Sequence, residues 1–329
     1  MDIAICYPLK DKNISRLSSE HRVRIATSEE MTRSELLKFV SGADVVVTLL
    51  SHKIDDEFFE EAGNQLRLVA NYAVGFNNID LDGATSRGIV VLNTPGILTE
   101  AVAEHIMTLI LLLSRNILMA DKYVRAGKFR GWKPDLFLGH GVRGRILGIV
   151  GMGSIGKWTA RLAKGLGMKI VYYSRTRDEE IEITTDAVYH KLDTLLGISD
   201  FISLSVPLSN ETRRMIGRKE LLAMKDDAYI INTSRGEVVD EKALIWALKN
   251  KEIAGAGLDV FEHEDKINPE LWKMENVVLT PHIASATYTA REEMSRVLVK
   301  GINDVISNRK PTNLVNIPVW DKRNNGSTN

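Results

Sequence analysis

The chain has 329 residues, 44% of them hydrophobic, and its 43 Lys+Arg balance 43 Asp+Glu. That length suits two ordinary globular domains, and zero net charge leaves no basic excess to hold nucleic acid or an anionic membrane. A single cysteine, Cys6, excludes an intrachain disulfide framework and a Cys-based zinc site, and its apolar neighbours make it read as a small buried hydrophobe. No metal site is expected. The most apolar segment, residues 106–113, is far short of the ~20 residues of a membrane span. With no signal-type pattern at the N-terminus, a cytoplasmic location is expected.

Residues 1–98 read as alternating strands and helices. Strands are predicted at 3–7, 22–26, 44–50, 66–71 and 89–93, and Thr32 with Glu35 has the capping-box spacing of a helix start. Near-continuous apolar strands such as Val45-Val46-Val47 suit a parallel sheet covered on both faces. Thr94-Pro95-Gly96 interrupts the pattern, and Thr99 with Glu100 opens a long helix reaching about residue 113. Its first half carries Glu100, Glu104 and His105; its later half is apolar all round, which predicts burial between domains. Residues 127–144 read as a loop rich in glycine, aromatic and basic residues. From residue 146 the alternation resumes, with strands at 146–150, 168–173, 201–206, 228–232, 254–260 and 277–280 and helices near 218–224 and 241–250. Six or seven strands in this stretch make one nucleotide-binding domain. A last amphipathic helix is predicted over 288–308, and the polar tail from Asp321 is expected to be disordered.

The chain is organised around Gly151-Met152-Gly153-Ser154-Ile155-Gly156, which follows an apolar strand and opens a helix. In such a unit the first glycine permits the tight turn, the second lets backbone approach a pyrophosphate, and the third lets helix pack on strand. The helix N-terminus aims its unpaired N–H groups at the anion. In NAD-type units an acid ends the second strand and binds the ribose 2′-hydroxyl. Here Ser174-Arg175-Thr176-Arg177 stands there instead, with no acid until Asp178. Guanidinium groups suit a 2′-phosphate, so NADP(H) is favoured, with a solvated basic turn tolerant of NAD(H) as the alternative.

Three further segments leave predicted strands: Asn232-Thr233-Ser234-Arg235-Gly236, Asp259-Val260-Phe261-Glu262-His263-Glu264 and Thr280-Pro281-His282-Ile283-Ala284. Ligands of open α/β sheets bind outside the carboxyl ends of the strands. An Arg, a carboxylate and a His there suit a 2-oxo acid: Arg235 to hold it, His282 to supply the proton, and Glu264 to hydrogen-bond the imidazole and keep it protonated near neutral pH. Taken singly, each also has a structural reading, as a turn cap, a solvated acid and a satisfied loop histidine.

Taken together, these residues resemble the D-isomer-specific 2-hydroxyacid dehydrogenase family over about residues 44–316. Asn71-Tyr72-Ala73-Val74-Gly75-Phe76-Asn77-Asn78-Ile79-Asp80 and Tyr172-Tyr173-Ser174-Arg175-Thr176-Arg177 look closest to its glyoxylate/hydroxypyruvate reductase branch. The resemblance implies two doubly wound (Rossmann-like) α/β domains. The substrate domain is flavodoxin-like and discontinuous, residues 1–98 plus 287–329, and the dinucleotide-binding domain is 99–286, with a cleft that closes over the substrate. It also implies that Arg235, Glu264 and His282 are catalytic, and that Leu50, Val74 and Gly75 join Arg235 and His282 in binding substrate. Cofactor contacts fall to the glycine turn (Gly151 to Gly156), Ser174, Arg175, Thr176, Val206, Thr233, Ser234, Arg235, Asp259 (at the nicotinamide carboxamide), His282 and Ala284. The 29-residue step from Arg235 to Glu264 and the 18-residue step on to His282 fit the family, which selects Glu264 over Glu262. The family usually has Pro after the glutamate, where this chain has Asp265.

The expected activity is hydride transfer from NAD(P)H to glyoxylate or hydroxypyruvate by a homodimer joined through its nucleotide domains and the 100–140 region. A D-3-phosphoglycerate or other D-2-hydroxyacid dehydrogenase is the alternative, although Leu49-Leu50-Ser51-His52 lacks the Arg a phosphate would want. Formate and phosphite dehydrogenases share the scaffold, and Glu264 weighs against formate. A nucleotide-sensing, corepressor-like binding protein is the reading from another class.

Overall fold

The structure is a computed structural model that describes residues 1–9 and 11–325. The chain divides into two compact units, Met1–Leu98 with the segment from Thr287, and Thr99–Ala286. The first unit runs β1 (Asp2–Ile5), α1 (Lys12–Glu20), β2 (Arg22–Ile25), α2 (Arg33–Val40), β3 (Val45–Thr48), α3 (Asp56–Ala62), β4 (Leu68–Asn71), α4 (Leu81–Ser86) and β5 (Val90–Leu92). Its five strands are parallel in the order β2-β1-β3-β4-β5, the flavodoxin-like arrangement. Side chains alternate across the sheet with the period of two that strands impose. Ile3, Ile5, Val45, Val47, Leu68 and Leu92 pack in one core, while Ala4, Val46, Val69 and Val91 pack in another with Phe58 and Phe59. Thr32 and Glu35 form a reciprocal capping box that fixes the start of α2.

The second unit runs α5 (Thr99–Ser114), α6 (Ile117–Arg125), β6 (Ile146–Val150), α7 (Ser154–Gly165), β7 (Lys169–Tyr173), α8 (Glu179–Thr185), β8 (Val188–Tyr189), α9 (Leu192–Ile198), β9 (Phe201–Leu204), α10 (Arg218–Leu222), β10 (Tyr229–Asn232), α11 (Glu241–Lys249), β11 (Gly255–Leu258), α12 (Pro269–Trp272) and β12 (Val277–Leu279). Its seven parallel strands are ordered β12-β11-β10-β9-β6-β7-β8, so the order reverses at β6, where the glycine turn leaves the sheet. The later half of α5 is not buried all round within this unit: Thr108 and Leu111 are exposed, in line with Glu104 of the first half and opposite the buried Ile106, Leu109, Ile110 and Leu113. Asn116, with φ of 51°, breaks it from α6 at a bend of 65°. Among the described residues no single helix is long and apolar enough to cross a membrane.

The chain then returns to the first unit as α13 (Tyr288–Ile306) and α14 (Ile317–Asn325). Leu314 bridges Leu92, and the Asn316 side chain accepts from the Val91 N–H at 2.8 Å and donates to the Ile89 carbonyl at 2.9 Å. The disorder expected from Asp321 is corrected as far as Asn325. Buried Val319 and Trp320 dock the start of α14 in the first core, and the helix continues into the polar sequence. The last four residues lie outside the described ones.

Candidate active site

The glycine turn has three distinct environments. Gly151 has φ of 101° and donates to the Tyr173 carbonyl at 2.8 Å; a Cβ there would stand 2.7 Å from the Ser205 carbonyl oxygen and 2.9 Å from Val206. A Cβ on Gly156 would stand 2.3 Å from the Gly151 carbonyl, so α7 lies on the turn only because that side chain is missing. Gly153 is different: a Cβ there would meet nothing within 4 Å. It is the N-cap of α7 and offers no side-chain hydrogen bond, so the first N–H groups of a 12-residue helix face open space. Such a cradle fits the pyrophosphate of a dinucleotide. Met152 is buried, Ile155 half-buried and Ser154 exposed beside it.

At the end of β7 the two guanidinium groups have separate fates. Arg177 is bound to Glu182 at 2.8 and 3.1 Å, and the Tyr172 hydroxyl donates to the same carboxylate at 2.7 Å. Arg175 is exposed between half-buried Ser174 and exposed Thr176. The Glu211 carboxyl is lowered chiefly by its hydrogen bond from Ser209, and Arg175 adds to this. Asp178, the first acid past the strand, accepts from the Ile181 N–H at 3.1 Å as the cap of α8 and pairs with Lys157 at 2.6 Å.

The adjacent strands β10, β11 and β12 deliver the remaining groups at their carboxyl ends. Buried Asn232 shapes the loop after β10: its Nδ2 donates to the Arg235 carbonyl at 2.9 Å, and its Oδ1 accepts from the Ser234 N–H and hydroxyl at 3.0 and 2.8 Å. Thr233 is half-buried in the same loop. A Cβ on Gly236 would stand 1.9 Å from the Phe261 carbonyl carbon, so the Arg235 loop touches the backbone leading to Glu264. Burial pulls the Arg235 guanidinium below its ordinary range, and Glu264 and Glu237 oppose that pull. Glu264 Oε1 lies 2.8 Å from His282 Nδ1. Glu262 pairs with Arg214 instead.

His282 occupies the left-handed region, φ of 52°, a conformation that persists only when the surroundings fix it. Fully buried Asp259 does so. Its carbonyl accepts the His282 N–H at 2.8 Å, and its carboxylate accepts Thr280 Oγ1–H at 2.6 Å, the Ile283 N–H at 2.9 Å and the Ala284 N–H at 2.8 Å. Burial alone would raise the Asp259 carboxyl, but its hydrogen bonds, that from His105 foremost, hold it below the usual range. The resemblance assigns Asp259 to the nicotinamide carboxamide; its visible work is to clamp the loop that carries His282.

In the first unit Val74 and Gly75 form a bend whose N–H groups have no partner among the described residues, while the Val74 and Gly75 carbonyls are held by Asn93 and Asn71, each at 2.8 Å. Asn78 donates to the Leu49 and His52 carbonyls at 3.1 and 2.9 Å, bracing the loop of half-buried Leu50. The Leu49 N–H donates to His52 Nδ1 at 3.2 Å, and burial pushes His52 down to about 4.

A family model described as D-isomer specific 2-hydroxyacid dehydrogenase, NAD binding domain, matches residues 107–284. The chain belongs to this family. It is 53% identical over 288 residues to a glyoxylate reductase of Thermococcus litoralis, covering 86% of this chain and 87% of that one. Among solved structures it is similar to the NADPH-dependent glyoxylate/hydroxypyruvate reductase of Sinorhizobium meliloti in complex with NADP and malonate, with TM-score 0.82, 32% identity, and coverage of 95% of this chain and 96% of that chain. It is also similar to the D-lactate dehydrogenase of Aquifex aeolicus complexed with NAD and lactic acid, with TM-score 0.84, 30% identity, and coverage of 96% and 99%.

Several residues of this dehydrogenase site lie outside the motif reading. Asn232 and Gly236 stand inside the quoted segments, but Asn232 works by shaping its own loop at Ser234 and Arg235, and Gly236 by its close approach to the Phe261 backbone. His105, on α5, has Nε2 3.1 Å from Thr280 Oγ1 and 3.5 Å from Asp259 Oδ1. Its only sequence signal is a histidine on the flank of an otherwise apolar helix.

Proposed function

We propose that the chain is an NADPH-preferring reductase of small 2-oxo acids, glyoxylate or hydroxypyruvate, yielding the D-2-hydroxy acid, or glycolate, which has no stereocentre. The observation that carries this reading is the 2.8 Å contact of Glu264 with His282 Nδ1, in one unit with half-buried Arg235 and an open glycine cradle. A carboxylate only accepts, so the proton of that contact sits on Nδ1, and Nε2 is the atom that meets the substrate oxygen. Arg235 holds the 2-oxo carboxylate and draws negative charge toward the C2 oxygen. Reduced nicotinamide, when bound, supplies the hydride to C2. His282 Nε2 gives its proton to the oxygen as charge develops there, and Glu264 stabilises the imidazolium beforehand. Asp259 orients this imidazole through the backbone.

The name of the Thermococcus relative supports glyoxylate, and that of the Sinorhizobium structure supports hydroxypyruvate and NADPH. Exposed Arg175 and the engagement of Asp178 elsewhere support a 2′-phosphate. The exposed apolar side chains of Val124 (57%), Trp132 (83%) and Leu138 (72%), all within the 100–140 region, support a homodimer through that region. The test is a kcat/KM matrix of NADH and NADPH against glyoxylate, hydroxypyruvate, pyruvate and 2-oxobutyrate. The expected result is highest kcat/KM with NADPH and one of the first two acids. No oxidation of either cofactor with any acid refutes the enzyme reading.

A further inference from the structure

We infer that His105 is a positioning residue for the reduction: through Thr280 and Asp259 its imidazole fixes the backbone that carries His282. This rests on the assignment of His282 as the acid/base.

The directions of the hydrogen bonds carry the argument. Asp259 is an acceptor, and the one hydroxyl proton of Thr280 is directed to its Oδ1 at 2.6 Å. Thr280 Oγ1 can therefore only accept from His105 Nε2 at 3.1 Å, so Nε2 carries a proton and the chain runs His105 to Thr280 to Asp259. Asp259 then gathers the N–H groups of three successive residues, His282 on its carbonyl and Ile283 and Ala284 on its carboxylate. Those three bonds hold His282 at its positive φ, the direction from which its side chain reaches Glu264. A fully buried carboxylate needs donors around it, and His105 Nε2 lies 3.5 Å from its Oδ1.

Packing brings His105 there and does not by itself call for a histidine. Gly257 in β11 has no side chain, and a Cβ on it would be 3.2 Å from the Leu109 Cβ, so α5 lies close over the strand that ends at Asp259. The helix residues in that contact, Leu109 and Leu113, are apolar. Among the described residues His105 forms no hydrogen bond or ion pair with His282 or Glu264; it acts through Thr280 and Asp259.

The test compares full-length wild type with His105→Phe, His105→Gln, Thr280→Val, the Phe/Val double variant and His282→Ala, reading kcat and KM for glyoxylate and Kd for NADPH. His105→Phe is expected to lower kcat roughly 10- to 100-fold, with KM and Kd within about twofold. Gln, whose amide N–H can reach Thr280, should return kcat to within about threefold of wild type. Thr280→Val should match the Phe variant, and the double variant should be no worse than Thr280→Val, because both break one chain. Wild-type kcat in Thr280→Val or His105→Phe, a Gln variant as slow as Phe, or losses that multiply in the double variant would each overturn the proposal. If His105→Phe does not fold, the Thr280→Val and Gln results decide it alone. An active His282→Ala would instead remove the acid/base assignment beneath it; an inactive His282→Ala beside a fully active His105→Phe removes the positioning role only.

Discussion

Adding one methyl group at Gly153 separates the stability of the protein from its hold on a dinucleotide. The backbone there, φ −76° and ψ −168°, is open to any residue, and a Cβ would meet no protein atom within 4 Å. Gly→Ala at a compatible position gains about 0.4–1 kcal/mol by stiffening the unfolded chain. Alanine is a poorer N-cap than glycine, at a cost of roughly the same size. The two effects offset, so Tm of Gly153→Ala should stay within about 3 °C of wild type. Bound pyrophosphate would have to share its space with the new methyl group, and overpacking of that kind costs about 1–3 kcal/mol. NADPH Kd, measured by quenching of protein fluorescence, should therefore rise roughly 5- to 150-fold. An unchanged Kd with unchanged Tm would refute the placement of the phosphates at this turn; a collapse of Tm would refute the reading of Gly153 as open.

Gly236→Ala, whose Cβ would lie 1.9 Å from the Phe261 carbonyl carbon, must push the Arg235 loop off the Glu264 loop. A displacement near 1 Å costs on the order of 10²-fold in kcat/KM, so wild-type kinetics would contradict the close approach. Arg175→Ala should weaken NADPH far more than NADH, while Arg177→Ala, which removes a partner of Glu182, should leave the NADPH/NADH preference unchanged; titration of both cofactors against both variants checks this. His52 titrates near 4 in the folded chain and near 6.5 when unfolded. Between those values the unfolded chain binds a proton that the folded one does not, so stability present above 6.5 is lost as pH falls through this window. The loss amounts to about 3 kcal/mol once pH is below 4. Urea unfolding of wild type and His52→Asn at pH 7, 6 and 5 should give curves that converge toward acid, and parallel curves would exclude a buried neutral His52.

The alternation of short apolar strands with amphipathic helices made both sheets legible, because a parallel sheet covered on two faces leaves a nearly continuous apolar signature such as Val45-Val46-Val47. The tail was misread for a local reason. Polarity after Asp321 outweighed Val319 and Trp320, whose burial anchors α14 from the other end. In α5 the apolar run hid the exposed stripe of Glu104, Thr108 and Leu111, because a count of apolar residues carries no direction. At the site, the strand-end segments were visible as motifs, and in the structure Glu262 pairs with Arg214 while Glu264 meets His282. The clamp by Asp259, the steric demand on Gly236 and the engagement of Asp178 by Lys157 depend on residues far apart in the chain, and no local pattern encodes them.

In the function proposed above, His282, oriented by Glu264, protonates the oxygen of a small 2-oxo acid. Single-turnover oxidation of NADPH by excess glyoxylate in His282→Ala tests it most directly, with NADPH Kd measured on the same sample. The rate constant should fall several orders of magnitude below wild type with cofactor binding intact. A rate within about tenfold of wild type would contradict it.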